Sequence, residues 1–338
     1  MRLSYAQRLE DYHLDLVFAD QQTGFYVDVG GGHPVADNVS FWFYLKGWRG
    51  LVIEPQARLA ELYSHIRPRD IAVCALAGRH DGEMDFHVVD RLHGLSTTLE
   101  SHAEAAAGLG AAFTTVKAPV RTLATLCAEH RIDTVDFLKI DVEGAEADVL
   151  AGADWTAFRP RVVVVEAAAP GSAAEAWRAW EPTLLAHRYR FAFFDGLNRF
   201  YLADEAAALA ERFPSEPAPW DRVLHLWDLG RAPERPDHFD HALARRLVEA
   251  FLAALPMLDR DLLARLLAQA PDGTPAPDEP AGAIAALLFG TAEFPGVSPA
   301  ASPGADRARL IRELIDSDRF RAALGRIAAS YDGGHLPE

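Results

Sequence analysis

The sequence predicts an α/β chain: a mostly parallel β-sheet covered by helices, closed by an antiparallel hairpin and followed by a C-terminal α-helical module. Between Gly24 and about Ala203, short β-branched or aromatic runs alternate with helical patterns, the signature of a parallel sheet with helical crossovers. The runs are almost continuously apolar, as strands buried on both faces are. Finally, Tyr189–Phe194, Asp195-Gly196 and Leu197–Leu202 read as two strands around a tight Asp-Gly turn, which places a reversed strand at or near the sheet edge.

In order, the core runs are Phe25–Val29, Leu51–Glu54, Ile71–Cys74, Phe137–Asp141 and Val162–Glu166. The first leads into Gly30-Gly31-Gly32-His33-Pro34 and a helix expected from about Ala36. Three runs end on a carboxylate: Glu54, Asp141 and Glu166. Ligands of open α/β sheets bind beyond the carboxyl ends of the strands, so these acids are expected to share one crevice. A long insertion before the fourth run carries Leu95-Ser96-Thr97-Thr98, whose hydroxyls suit a lid over substrate.

Beyond Glu205 the composition shifts. Pro-rich stretches at 214–219 and 232–236 precede helical patterns at about 238–254 and 259–270, and a Pro/Gly/Ala-rich segment covers 271–282. A loop is expected from Pro295 to Pro303, and a last helix from Ala305 to Ser330, stopping before Asp332-Gly333-Gly334. The expected domains are therefore residues 1–231 and a helical module, 232–338, for partner docking or oligomerisation.

Thirty-three Lys+Arg face 49 Asp+Glu among 338 residues, a formal charge of -16. That balance disfavours general binding to nucleic acid or anionic membranes. Cys74 and Cys127 cannot build a disulfide framework or a zinc cage by themselves. The polar N-terminus lacks the apolar core of a signal peptide, and no uncharged apolar stretch approaches the roughly 18 residues of a membrane span. The expectation is a soluble, cytoplasmic protein without a transmembrane segment.

Glycines at a strand-to-helix turn let backbone N–H groups approach a ligand closely. As a dinucleotide fingerprint this turn fails, because the sixth position from Gly30 is Val35 and Pro34 interrupts it. A phosphate loop fails for want of Gly-Lys-Ser/Thr. Glu54, at the end of the second strand, suits a ribose, since an ionised carboxylate accepts both hydroxyl hydrogens. Asp28 is placed to hold the glycine loop or to meet an ammonium group. An acidic crevice suits the sulfonium and ammonium of S-adenosylmethionine (SAM) better than a pyrophosphate. Asp28, Gly30, Gly31, Gly32, Glu54 and Asp141 are the expected cofactor residues.

Five segments resemble the FkbM-type SAM-dependent methyltransferases, in particular a subgroup associated with bacterial polysaccharide biosynthesis. They are Ser4-Tyr5-Ala6-Gln7-Arg8-Leu9-Glu10-Asp11; Phe25–Gly30 with Pro34; Gly47-Trp48-Arg49-Gly50 with Glu54-Pro55; Asp136–Glu146; and Phe194–Tyr201. The chain departs from the family at Arg8, at Gly31, where Ala is typical, and at His33, where a smaller residue is typical. The resemblance implies a Rossmann-like class I methyltransferase fold, SAM as cofactor, and methyl transfer to a sugar hydroxyl of a cell-surface polysaccharide or its precursor. A macrolide or other natural-product hydroxyl, or a non-catalytic scaffold in glycan assembly, are the alternatives.

Methyl transfer is an in-line displacement in which the protein orients the acceptor. A sugar hydroxyl is scarcely ionised at neutral pH, so a base or a metal is wanted. Asp141, Glu143, Glu166 and His33 are the candidate bases. Mg²⁺ held by Asp141 and Glu166 is the competing arrangement, because hard cations take oxygen ligands. Ser96, Asp195, Asn198 and Arg199 are candidate contacts to the saccharide, with Trp48 or Trp155 as stacking surfaces. The helical module is a candidate site for a glycosyltransferase partner or for self-association.

Overall fold

The computed structural model describes residues 3–89, 96–98, 113–168 and 175–254, with Asp318, Ala322 and Arg326 beyond them. The chain divides into two units, residues 1–226 and 227–338. In the first, the elements run β1 (Leu3–Ser4), α1 (Glu10–Val17), β2 (Phe25–Val29), α2 (Ser40–Leu45), β3 (Arg49–Ile53), α3 (Ala57–Ile66), β4 (Ile71–Val73), β5 (Leu76–Ala77), β6 (Gly82–Val89) and β7 (Phe113–Arg121). They continue with α4 (Leu123–Glu129), β8 (Phe137–Ile140), α5 (Glu146–Ala151), β9 (Val162–Glu166), α6 (Glu181–Ala186), β10 (Tyr189–Phe194), β11 (Asn198–Ala203) and β12 (Leu224–His225).

Seven strands form the central sheet, in the order β10-β11-β9-β8-β2-β3-β4. All run parallel except β11, which is antiparallel to both β9 and β10. The chain builds outward from β2 through β3 to β4, then returns to the other side of β2 as β8. That reversal is a topological switch point, and the crevice beyond the carboxyl ends of β2 and β8 is where such a sheet binds ligands. Strands β8 and β9 are buried along their whole length, as their apolar sequence requires.

Aromatic packing anchors one face. Trp48 lies against Phe18, Phe43 and Phe137, and Tyr26 stacks on Phe137 at 5.5 Å. Trp155 packs on Phe158 and Tyr189. Both tryptophans belong to the core, so neither serves as the sugar-stacking surface expected of them.

Two local expectations change. The helix after the glycine run begins at Ser40, not near Ala36. His33 Nδ1 accepts the N–H groups of Val35 and Ala36 (3.2 and 3.1 Å), Asp37 is left-handed (φ 50), and Asn38 Oδ1 accepts the Phe41 N–H at 2.8 Å. These bonds hold residues 33–39 as a loop and delay the helix. The hairpin turn is centred on Gly196-Leu197, because Asp195 N–H donates to the Asn198 carbonyl while its Oδ1 takes the N–H groups of Leu197 and Asn198.

The insertion after β4 forms a second sheet, β5-β7-β6, in which β6 and β7 make an antiparallel hairpin. His225 is buried, with Nε2 2.9 Å from the Ala6 carbonyl oxygen. Alongside it, β1 and β12 pair in parallel.

In the second unit, α7 spans His241–Ala254, and Arg326 forms a two-point ion pair with Asp240. The expected helix at 259–270, the segment 271–282, the loop at 295–303 and the Asp332–Gly334 stop lie outside the described residues. Of the helix expected at 305–330, Asp318, Ala322 and Arg326 are described, and they are helical. Among the described residues no helix is long and apolar enough to cross a membrane.

Candidate active site at the switch point

Beyond β2 and β8 lies a small open cleft, lined by Gln7, Glu10, Asp28, Gly30, Gly31, Asp37, Asn38, Val39, Lys139 and Asp141. Gly30 is left-handed (φ +74), and a Cβ there would sit 1.7 Å from the Asp141 carbonyl oxygen. Only glycine lets the loop run this close to the end of β8. The Gly31 carbonyl accepts from Asn38 Nδ2 and Tyr63 Oη, both at 2.8 Å.

Glu54 fastens that loop to the next crossover. Its Oε2 accepts the Gly32 N–H and its Oε1 the Gln56 N–H, each at 2.8 Å. Burial pushes its pKa up to about 7, against the pull of those bonds. Asp28 accepts from Ser40 Oγ, and burial likewise raises its pKa.

Behind the loop stands Arg67, a fully buried guanidinium at the end of α3. It donates to Asp70, the Pro34 carbonyl, Asn38 Oδ1, Tyr26 Oη and Ser40 Oγ. One side chain thereby ties the loop before α2 to the sheet. Nothing in the local pattern around Arg67 marks it as buried.

Asp141, Glu143 and Glu166 bring a carboxylate oxygen each to within 4.8 Å of one another. Glu143 sits in a turn with φ 55, followed by Gly144 at φ 105. Glu146 Oε1 accepts the N–H groups of Gly144 and Val142, so Glu146 caps this turn rather than Asp141. Burial, with Asp141 adding repulsion, lifts Glu143 to about 8 and Glu166 to about 10. Glu166 Oε2 is buried without a hydrogen-bond partner. Lys139 Nζ lies 3.0 Å from Asp141 Oδ2. Burial opposes its charge, but Asp141, Glu10 and Glu166 outweigh that and raise its pKa.

His33 stands apart from these carboxylates in role. Its Nδ1 lone pair holds the Val35 and Ala36 amides, which assigns the ring proton of a neutral imidazole to Nε2 and leaves no lone pair to act as a base. Of the proposed saccharide contacts, Ser96 Oγ accepts the Val89 N–H at 3.0 Å, and the adjacent Thr97 Oγ1 reaches the Glu143 carbonyl at 3.3 Å. The insertion therefore abuts the carboxylate cluster. Asn198 Nδ2 donates to Glu10 Oε1 at 2.7 Å, and Asp195 is pushed up to about 7 by burial and by Glu10. Arg199 points elsewhere: it binds Glu181 and Tyr201 Oη and lies between Trp177 and Phe191, 4.1 Å from each ring centre.

Sequence reasoning assigned no role to Gln7, Glu10, Asn38 or Arg67. The Ser4–Asp11 segment was the available signal for the first two. No curated protein matches the chain. Residues 28–191 match the family model described as the methyltransferase FkbM domain, a span that takes in the glycine loop, Glu54 and all three clustered carboxylates. The chain carries an FkbM methyltransferase domain.

Proposed function

We propose that the protein is a SAM-dependent O-methyltransferase acting on a sugar hydroxyl, in a cell-surface polysaccharide or its precursor. The observation that carries this reading is the placement of Asp141, Glu143 and Glu166 within 4.8 Å of one another, directly beside the glycine loop. The acceptor class rests on the likeness of the Ser4–Asp11 and Phe194–Tyr201 segments to the polysaccharide-associated subgroup.

The cleft suits the cofactor. Asp28 and Asp141 offer negative charge to the ammonium and sulfonium. In its ionised form Glu54 keeps a second lone pair on each oxygen for the ribose hydroxyls. When bound, SAM supplies a methyl group activated by its sulfonium. The chain's own residues orient the acceptor oxygen and remove its proton, and the carboxylate cluster is the base. Burial and repulsion from Asp141 raise the proton affinity of Glu143 and Glu166, so in its ionised form either one takes a hydroxyl proton more readily than an ordinary carboxylate does.

The same trio is an all-oxygen set of the kind Mg²⁺ takes, although Lys139 already gives Asp141 a positive neighbour at 3.0 Å. The test is methyl transfer from SAM to a panel of mono- and oligosaccharides and nucleotide sugars, with Mg²⁺ and with EDTA. A sugar that gains one methyl group in mass, unaffected by EDTA, supports the base. Loss of activity in EDTA moves the role to a metal. Methylation confined to amine or carboxylate acceptors would overturn the O-methyl reading. Residues 232–338 are proposed as an element for docking a glycosyltransferase or for self-association, and the protein as cytoplasmic.

A further inference from the structure

The cleft is completed from outside the matched domain. Gln7 and Glu10 line it, and both precede residue 28. Their segment is anchored at separate points: β1 pairs with β12, Ser4 Oγ and the Tyr5 N–H donate to Asp11, and Glu10 Oε1 receives Asn198 Nδ2. Leu9 is left-handed, with φ 62, a conformation a leucine keeps only where its surroundings impose it. That turn brings Glu10 to the cleft while its Oε2 takes the Arg8 N–H.

Several donors on the cleft's other walls are already engaged. Gly30 and Gly31 N–H groups go to the Ile53 carbonyl, Gly32 N–H to Glu54, the Asn38 amide to Gly31 and Tyr63, and Lys139 to Asp141. Gln7 is exposed, and its side-chain amide has no hydrogen-bond partner among the described residues. The amino-acid end of SAM carries a carboxylate that needs such a donor, and an ammonium that the acidic floor of Asp28 and Asp141 suits.

We propose that the N-terminal segment reads the amino-acid end of the methyl donor: the Gln7 amide donates to its carboxylate, and the Glu10–Asn198 bridge positions Gln7 over the cleft. The inference rests on SAM being the cofactor. It also means that cofactor recognition extends beyond the domain the family model covers.

The test is calorimetric titration of the full chain with S-adenosylhomocysteine and with 5′-methylthioadenosine, which keeps the nucleoside and thioether but lacks the amino-acid end. Gln7 is exposed, so its substitution leaves the core intact. Gln7→Ala should weaken S-adenosylhomocysteine about tenfold, the worth of one hydrogen bond to a charged group, and leave methylthioadenosine unchanged. Gln7→Lys, which restores a donor, should recover most of the loss. Equal S-adenosylhomocysteine affinity for wild type and Gln7→Ala, or equal losses for both ligands, would overturn the proposal. Wild type that binds no S-adenosylhomocysteine would instead overturn the SAM reading on which it rests.

Discussion

Glu54 should make the stability of this protein fall as pH rises through neutrality. In the folded chain its carboxyl is buried beside Asp28, which pushes its pKa up to about 7 from the ordinary 4.5. The folded state therefore favours the protonated form. The stabilisation is complete below the unfolded pKa and is lost progressively as pH climbs through the folded one. Linkage converts those two values into a loss of about 2.5 kcal/mol between pH 5 and pH 8. Other buried acids contribute as well, so wild type alone does not isolate Glu54. Glu54→Gln removes this titration, at a fixed cost from placing an amide N–H₂ against a backbone N–H. The assay is urea unfolding of wild type and Glu54→Gln at both pH values. The stability difference, wild type minus variant, should shift against wild type by that amount as pH rises. A difference independent of pH, or one that grows in wild type's favour, would refute the account of a carboxyl kept protonated by burial.

Gly30→Ala should cost about 1–2 kcal/mol for the left-handed backbone alone, and more for a Cβ placed 1.7 Å from the Asp141 carbonyl. A melting temperature within a degree of wild type would contradict the close approach. Arg67→Ala leaves the fully buried Asp70 carboxylate without its counter-charge, with hydrogen bonds from Tyr26 Oη and the Gly50 N–H remaining, and should cost about 3–5 kcal/mol in urea unfolding. A loss under about 1 kcal/mol would show that the hydrogen bonds from Tyr26 and Gly50 suffice to hold the Asp70 carboxylate. Glu166→Gln should slow methyl transfer roughly 10²–10⁴-fold while leaving S-adenosylhomocysteine affinity unchanged. An unaltered rate would place the base elsewhere in the cluster.

The sheet was legible because its strands are buried on both faces. Val162–Val165 admits little besides a central strand, and the Phe193–Phe200 hairpin follows from its turn residues. The second sheet was not, since Gly82–Val89 and Phe113–Arg121 expose much of their length and carry polar residues at a period that a loop also shows. The strand-end acids of the cleft could be read from Glu54, Asp141 and Glu166, because strand ends converge by topology. Gln7 and Glu10 could not, since the Glu10–Asn198 contact joins residues 188 apart. The expected onset of α2 is too early because His33 and Asn38, in bonding nearby amides, sustain a loop that composition does not distinguish from a helix start.

Pairing β1 with β12 has a consequence for biosynthesis. The first strand of the chain leaves the ribosome early, but its hydrogen-bond partner follows late: His225 meets Ala6 across 219 residues. At roughly 5–20 residues per second, that wait is about 10–45 seconds. During it the matched domain can assemble its sheet while the N-terminal wall of the cleft still lacks one of its anchors. A nascent chain stalled short of Leu224 should therefore hold a folded sheet with an open, cofactor-poor cleft, and competence would arrive in one late step.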